Sequence, residues 1–257
     1  YASDTKSYFS SLVIYLDTPM IFAVMGMDTP EREVSYKTLL TKAAQIGMRI
    51  CVFDQNFEEA KGIMERASRW ALSNQYEQAK ANKVAQFFYE SGMDADEISE
   101  YIHDFEHQLN NKGIIKENTD YLSEENAFQL DEQKLFDEIK TEYGRRALKY
   151  SSEAEYDNSI QTDVRSLVMI QRKRAGMYST DLNSARCVFI TTNGVVAKVS
   201  KDYTLANELT KDKIPTAMTA DMFGTLLWLG YPDKNEYTGQ KLIADCKALL
   251  KASPQMI

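Results

Sequence analysis

A few residues in this sequence combine oxygen-donor side chains with positions where chemistry is possible. Asp17 closes the apolar run Ser11-Leu-Val-Ile-Tyr-Leu16. Asp54, Glu58 and Glu59 follow the run Arg49-Ile-Cys-Val-Phe53. Asp163 lies early in a long periodic segment, and Thr191-Thr-Asn193 ends the run Cys187-Val-Phe-Ile. Together they offer carboxylates, a hydroxyl and an amide. Clustered carboxylates repel one another and need a compensating cation. Hard oxygen ligands of this kind suit Mg²⁺ or Mn²⁺. Such an ion on a carboxylate cluster is a common device for phosphodiester hydrolysis.

The elements that must position these residues can be read from the pattern. Ser11–Leu16, Arg49–Phe53 and Cys187–Thr191 are short apolar runs rich in β-formers and read as buried strands. A helix starts at Asp28-Thr29-Pro30, where an Asp or Thr caps and Pro fits the first turn, and Gly47 stops it. Asp54-Gln-Asn56 reads as a turn and cap. Phe57, Ala60, Ile63, Met64, Ala67 and Ala71 then repeat at helical spacing. Strand, helix, strand, helix with short links predicts a parallel sheet covered by helices. Residues 73–155 break this pattern and read as a helical insertion, with polar turns at Asn110-Asn-Lys-Gly113 and Glu117-Asn-Thr-Asp120. The pattern resumes with a helix over 156–174 ended by Gly176, the Cys187 strand, a short helix, a short strand at Ala217-Met218 and a helix from Asp221. A closing amphipathic helix is expected over Thr238–Leu250. The division is 1–72 and 156–257 for the α/β core and 73–155 for the insertion, in a three-layer α/β/α fold. In open sheets of this type ligands bind at the carboxyl ends of the strands, where Asp17, Glu59 and Thr191 fall.

In this order the motifs resemble those of the PIN-domain nucleases. A hydrophobic strand ends in Asp followed by Thr, as in Ile14-Tyr-Leu-Asp17-Thr18. An acidic residue stands on the helix after the second strand, as in Phe57-Glu-Glu59-Ala60. An Asp stands on the helix before the next strand, as in Thr162-Asp163-Val164. The last strand ends in Thr-x-Asp, here Thr191-Thr192-Asn193, with Asn in place of the usual Asp. The resemblance spans about residues 11–70 and 157–230. It implies a PIN-like core, a Mg²⁺- or Mn²⁺-dependent endonuclease with RNA favoured over DNA, and metal ligands Asp17, Glu59 and Asp163. Asn193 would supply an amide oxygen or position water. Thr18, Thr191, Arg165 and Arg172 would contact substrate. By analogy, a guarded nuclease of this kind suits a toxin or antiviral role. The alternative is a degenerate PIN-like scaffold that recruits another protein, which the Asn at 193 favours. A phosphohydrolase on another α/β fold is a third reading, although Asp17-Thr18-Pro19 lacks the Asp-x-Asp of haloacid-dehalogenase phosphatases.

Each of these residues has a plainer reading. Asp17 can cap a turn. Glu59 can be a solvated helix residue; it is preferred to Glu58 because Ala60 places it at the edge of the buried stripe. Asp163 and Asp221 can be first-turn acids that complement a helix dipole, and Asn193 a turn residue before Gly194. Arg145-Arg146 with Lys149, and Arg172-Lys173-Arg174, can hold phosphates or form solvated helix faces. The two histidines, His103 and His107, share a face if one helix holds both, but no further His supplies a third zinc ligand.

Composition bounds the rest. At 257 residues, with 44% apolar and 26% charged residues, the chain is long enough for a sizeable core. It opens on Tyr rather than Met, as a piece of a longer protein would. Three scattered Cys give no disulfide framework and fit a reducing, cytoplasmic setting. No apolar run is long enough to span a bilayer. The net charge of −8 argues against a polycation that coats nucleic acid. Residues 94–142 hold 15 acids against 4 bases, while the remainder holds 23 acids and 26 bases. That acidic segment reads as solvated helix faces or as a docking surface for a protein partner. Walker A and Gly-x-Gly-x-x-Gly motifs are absent.

Overall fold

The computed structural model describes residues 11–118, 121, 128, 130–144, 153–182, 184–207 and 213–230. Its centre is a five-stranded parallel sheet of β1 (Val13–Leu16), β2 (Arg49–Phe53), β3 (Ile114–Glu117), β4 (Cys187–Thr191) and β5 (Ala217–Thr219), in the order β3-β2-β1-β4-β5. β1 is the pivot. It pairs with β2 through Val13↔Arg49 and with β4 through Val13↔Cys187. The chain order reverses between β1 and β4, so the carboxyl ends of these two strands flank the switch point where open α/β sheets bind ligands.

Parallel strands covered on both faces read as unbroken apolar runs, which is why β1, β2 and β4 are legible in the sequence. Their alternation sorts residues between two helical layers. Ile14, Leu16, Ile50, Val52, Val188 and Ile190 belong to one core, beneath α1 (Thr18–Val24), α2 (Pro30–Ile46) and α3 (Asp54–Ala71). Tyr15, Cys51, Phe53, Cys187 and Phe189 belong to the other, beneath α7 (Glu132–Tyr143), α8 (Glu153–Lys173) and α9 (Gly194–Asn207). Between β2 and β3 the chain also forms α4 (Lys83–Ser91), α5 (Ala95–His103) and α6 (Phe105–Asn111); α10 (Ala220–Gly230) follows β5.

Three features differ from the expected pattern. The stretch 73–155 is not helical throughout, since it supplies the edge strand β3. Only four residues long and half polar, with Ile115 largely exposed, β3 lacks the apolar run of a buried strand. Helix α1 begins directly after Asp17; Pro19 sits in its first turn, where a missing N–H costs nothing. α3 starts at Asp54 rather than Phe57, with Asp54 in its first turn beside the helix dipole. The expected helix over Thr238–Leu250 and the cluster Arg145-Arg146-Lys149 lie outside the described residues. Among the described residues no helix is long and apolar enough to cross a membrane.

Candidate active site

Asp17 follows directly on β1, and its backbone N–H still donates to Ile190 O of β4 at 3.0 Å. Its side chain caps α1, Oδ1 accepting from Thr18 N at 2.8 Å. Because β1 and β4 are neighbours, its Oδ2 also meets Thr191, whose hydroxyl donates to it at 2.6 Å. Asp17 is therefore a cap and a member of a buried cluster at once. Burial raises its carboxyl from the usual 3.8 to about 6, against the lowering effect of the bonds from Thr191, Thr18 and the Thr192 backbone.

Thr18 continues the chain of contacts. Its hydroxyl donates to Glu59 Oε2 at 2.5 Å, one turn into α3. Glu59 is raised to about 7, first by burial and then by the Asp17 charge, with the Thr18 bond opposing. Glu58 points elsewhere. Lys116 of β3 holds Asp54 at 3.0 Å, Glu58 at 3.8 Å and Glu106 at 3.9 Å, above the Phe57 ring. Glu59, and not Glu58 or Asp54, joins Asp17.

Asp163 approaches from the other helical layer. Its residue is 8% exposed. Its carboxyl lies well above the usual range, through burial first and then through the charges of Asp17 and Glu59. No donor to this carboxyl is found among the described residues. Three carboxylates from β1, α3 and α8 thus bear on one another at the carboxyl edge of the sheet. Their hard-oxygen chemistry fits Mg²⁺ or Mn²⁺. They are not drawn together as a finished centre: among the described residues, no group of three His, Cys, Asp or Glu side chains is placed to hold a metal ion.

The other expected site residues divide. Thr191 is buried at the cluster, giving its proton to Asp17 and accepting from Asn193 N at 2.9 Å. Asn193 itself caps α9: its Oδ1 accepts from Val195 N at 3.1 Å. The amide oxygen expected to face a metal or water is committed to a helix terminus. Arg172 is not brought to the cluster. It stands nine residues beyond Asp163, about 13 Å along the helix axis, with its guanidinium 4.6 Å from the Tyr121 ring centre and donating to Tyr121 O at 2.7 Å. Arg165 lies over the same ring at 5.3 Å; two residues from Asp163, it projects from nearly the opposite side of α8. Lys173 pairs with Glu117. Arg174, 1% exposed, donates to Cys187 O, Ile214 O and Pro215 O at 2.8–2.9 Å. The run Arg172-Lys173-Arg174 is thus neither a phosphate clamp at this cluster nor a solvated face. His103 ends α5 and His107 lies on α6, so the single helix needed to align them is interrupted at Asp104. Asp221 sits in the first turn of α10.

Two buried polar residues that sequence reasoning did not single out as site residues lie beside the cluster. Asn56 and Ser166 are fully buried, and the Ser166 hydroxyl lies 3.0 Å from Asn56 Oδ1 and 2.9 Å from Thr162 O, its single proton shared between these two acceptors. In the sequence only their helical phase, three residues from Glu59 and Asp163 respectively, places them near the carboxylates. Comparison with protein-family models, curated proteins and solved structures finds no match to this chain.

Proposed function

We propose that this chain is a metal-dependent phosphodiester hydrolase, a nuclease with RNA favoured over DNA. The observation that carries the reading is Asp163. A buried carboxylate without a hydrogen-bond donor, facing two further carboxylates, is costly unless a cation or protons compensate it. Its place at the switch point of a parallel sheet supports a ligand site, and the motif order of the PIN-domain nucleases supports the choice of reaction. Asp17 and Asp163 would hold the ion, with Glu59 completing the set. When bound, Mg²⁺ or Mn²⁺ supplies an activated water and charge stabilisation on the phosphate. Thr191 and Thr18 fix the orientations of Asp17 and Glu59 through their hydroxyls. The acidic 94–142 segment would limit access to substrate or dock a partner, as a guarded toxin or antiviral effector requires.

A second reading is a PIN-like scaffold without catalysis. It is favoured by the commitment of Asn193 to the α9 cap and by the unfinished spacing of the carboxylates. One experiment separates the two: labelled single-stranded RNA and DNA incubated with the protein in Mn²⁺, Mg²⁺ or EDTA, beside Asp17→Asn and Asp163→Asn. Metal-dependent cleavage that disappears in both folded variants is the expected result. A parent that cleaves neither substrate under any metal favours the scaffold. Cleavage equal in all three proteins places the chemistry elsewhere.

A further inference from the structure

Helix α2 has a second face beside the one it buries. Tyr36, Leu39, Ala43 and Ile46 enter the core. Lys37, Leu40, Thr41, Ala44 and Gln45 recur at i, i+3, i+4, i+7 and i+8, so they form one stripe. It runs about 12 Å along the helix axis. Opposite stand Ile50 and Ile114, near the amino ends of β2 and β3, with Val24 at the end of α1. Between them lies a groove of about 570 Å³, a volume of the order found at small-molecule sites. Val24, Leu40, Ile50 and Ile114 are each at most 6% exposed and form its apolar floor. Lys37, Thr41, Gln45 and Lys112 are exposed and form a polar rim. At Gly113, where the chain turns into β3 with φ +74°, no described atom beyond its chain neighbours lies within 4 Å of where a side chain would begin.

The charge of the rim selects the occupant. No Asp or Glu lines the groove, although acids outnumber bases 38 to 30 in the chain. Lys37 is paired with Glu33 one turn back, so it offers the groove mainly its apolar stem. Lys112 has no carboxylate partner among the described residues, and the Thr41 hydroxyl and Gln45 amide add neutral donors. An apolar floor with an unpaired ammonium and neutral donors at its mouth complements a hydrocarbon that ends in one negative group. We infer that this groove binds a small amphipathic carboxylate, with its hydrocarbon on the Leu40–Ile114 floor and its charged end at Lys112. The groove is independent of the metal reading, since it lies at the amino edge of the sheet and the carboxylate cluster at the carboxyl edge.

The test is calorimetric titration of the full chain in EDTA with hexanoate, octanoate and decanoate, and with octan-1-ol and octylammonium, beside thermal melts of each variant. Affinity is expected to rise about threefold per added methylene, and octanoate should bind more tightly than the alcohol or the amine. Lys112→Gln should weaken octanoate about 2- to 5-fold, the scale of an exposed ion pair, and leave octan-1-ol unchanged. Ala44→Leu places a good helix former at an exposed position and fills the groove, so it should weaken both by at least about tenfold. Thr41→Phe fills the groove from the preceding turn and serves if Ala44→Leu does not fold. Lys83→Gln on α4, outside the lining, is the control and should change neither. Octanoate that fails to bind the parent, or that binds the filled variants equally well, overturns the site. An alcohol or amine that binds as tightly as octanoate, or a folded Lys112→Gln with undiminished octanoate affinity, overturns the anionic occupant.

Discussion

Replacing Asp163 with Asn should make the metal-free protein more stable. The substitution keeps the shape of the side chain and removes a buried charge that has no donor. Its scale can be set from the neighbours: a rise of the Asp17 carboxyl from 3.8 to about 6 corresponds to about 3 kcal/mol against its ionised form at neutral pH. Asp163 bears a cost of its own, from burial first and then from the charges of Asp17 and Glu59. With relaxation and water entry, a gain of about 2 kcal/mol is expected at pH 8, or about 4–8 °C in melting temperature for a chain of this size. The pH dependence fixes the cause. A carboxyl whose folded pKa is raised carries no penalty below its unfolded value near 4, and the penalty grows as pH rises through the folded value. The advantage of Asp163→Asn should therefore fade towards pH 4. Saturating Mn²⁺ should reverse the order, since an ion that binds only the folded parent stabilises it by about 2.7 kcal/mol at one hundred times its Kd. The assay is a set of thermal melts at pH 4, 6 and 8, in EDTA and in Mn²⁺. An Asp163→Asn protein less stable than the parent at pH 8 in EDTA refutes the argument, as does a gain independent of pH.

The proposed ligands would have to lose protons to bind metal, and Glu59 holds its proton to about 7. Mn²⁺ affinity should therefore rise from pH 6 to pH 8 with measurable proton release; a flat profile by calorimetry in two buffers contradicts it. Arg174→Met strands three carbonyls and should cost more than about 3 kcal/mol at about 1–3 per buried unsatisfied group, read as a lower urea midpoint at unchanged slope. Asn193→Ala should cost about 1 kcal/mol as a lost helix cap, whereas Asn193→Asp, an equally good cap, should melt with the parent.

The central strands were legible because burial on both faces leaves an unbroken apolar run with a polar residue at its end, and this also made Asp17 and Thr191 stand out. The phase of the α3 stripe chose Glu59 over Glu58, and the structure gives Glu58 to Lys116. Edge strand β3 escaped because a strand with one open side needs no such run. Arg172 shows a limit of another kind. A basic triplet at a helix end has the same pattern whether it faces phosphate, water or an aromatic ring, and Tyr121 decides it from 51 residues away. Asn56 looked like an ordinary turn residue because its partner lies 110 residues along the chain.

The bond between Asp17 and Thr191 closes a loop of 174 residues, and this sets an order of assembly during synthesis. β1 leaves the ribosome well before β4, so one of its two flanking strands arrives only with residues 187–191. Until then β1 has an open side in the sheet, and Asp17 lacks the hydroxyl that orients it. An unpaired apolar edge invites pairing with other chains. A chain ending before β4 is thus exposed to aggregation, and although it holds Asp17, Glu59 and Asp163 it lacks the Thr191 hydroxyl, so Asp17 is fixed in place only once residues 187–191 have joined the sheet.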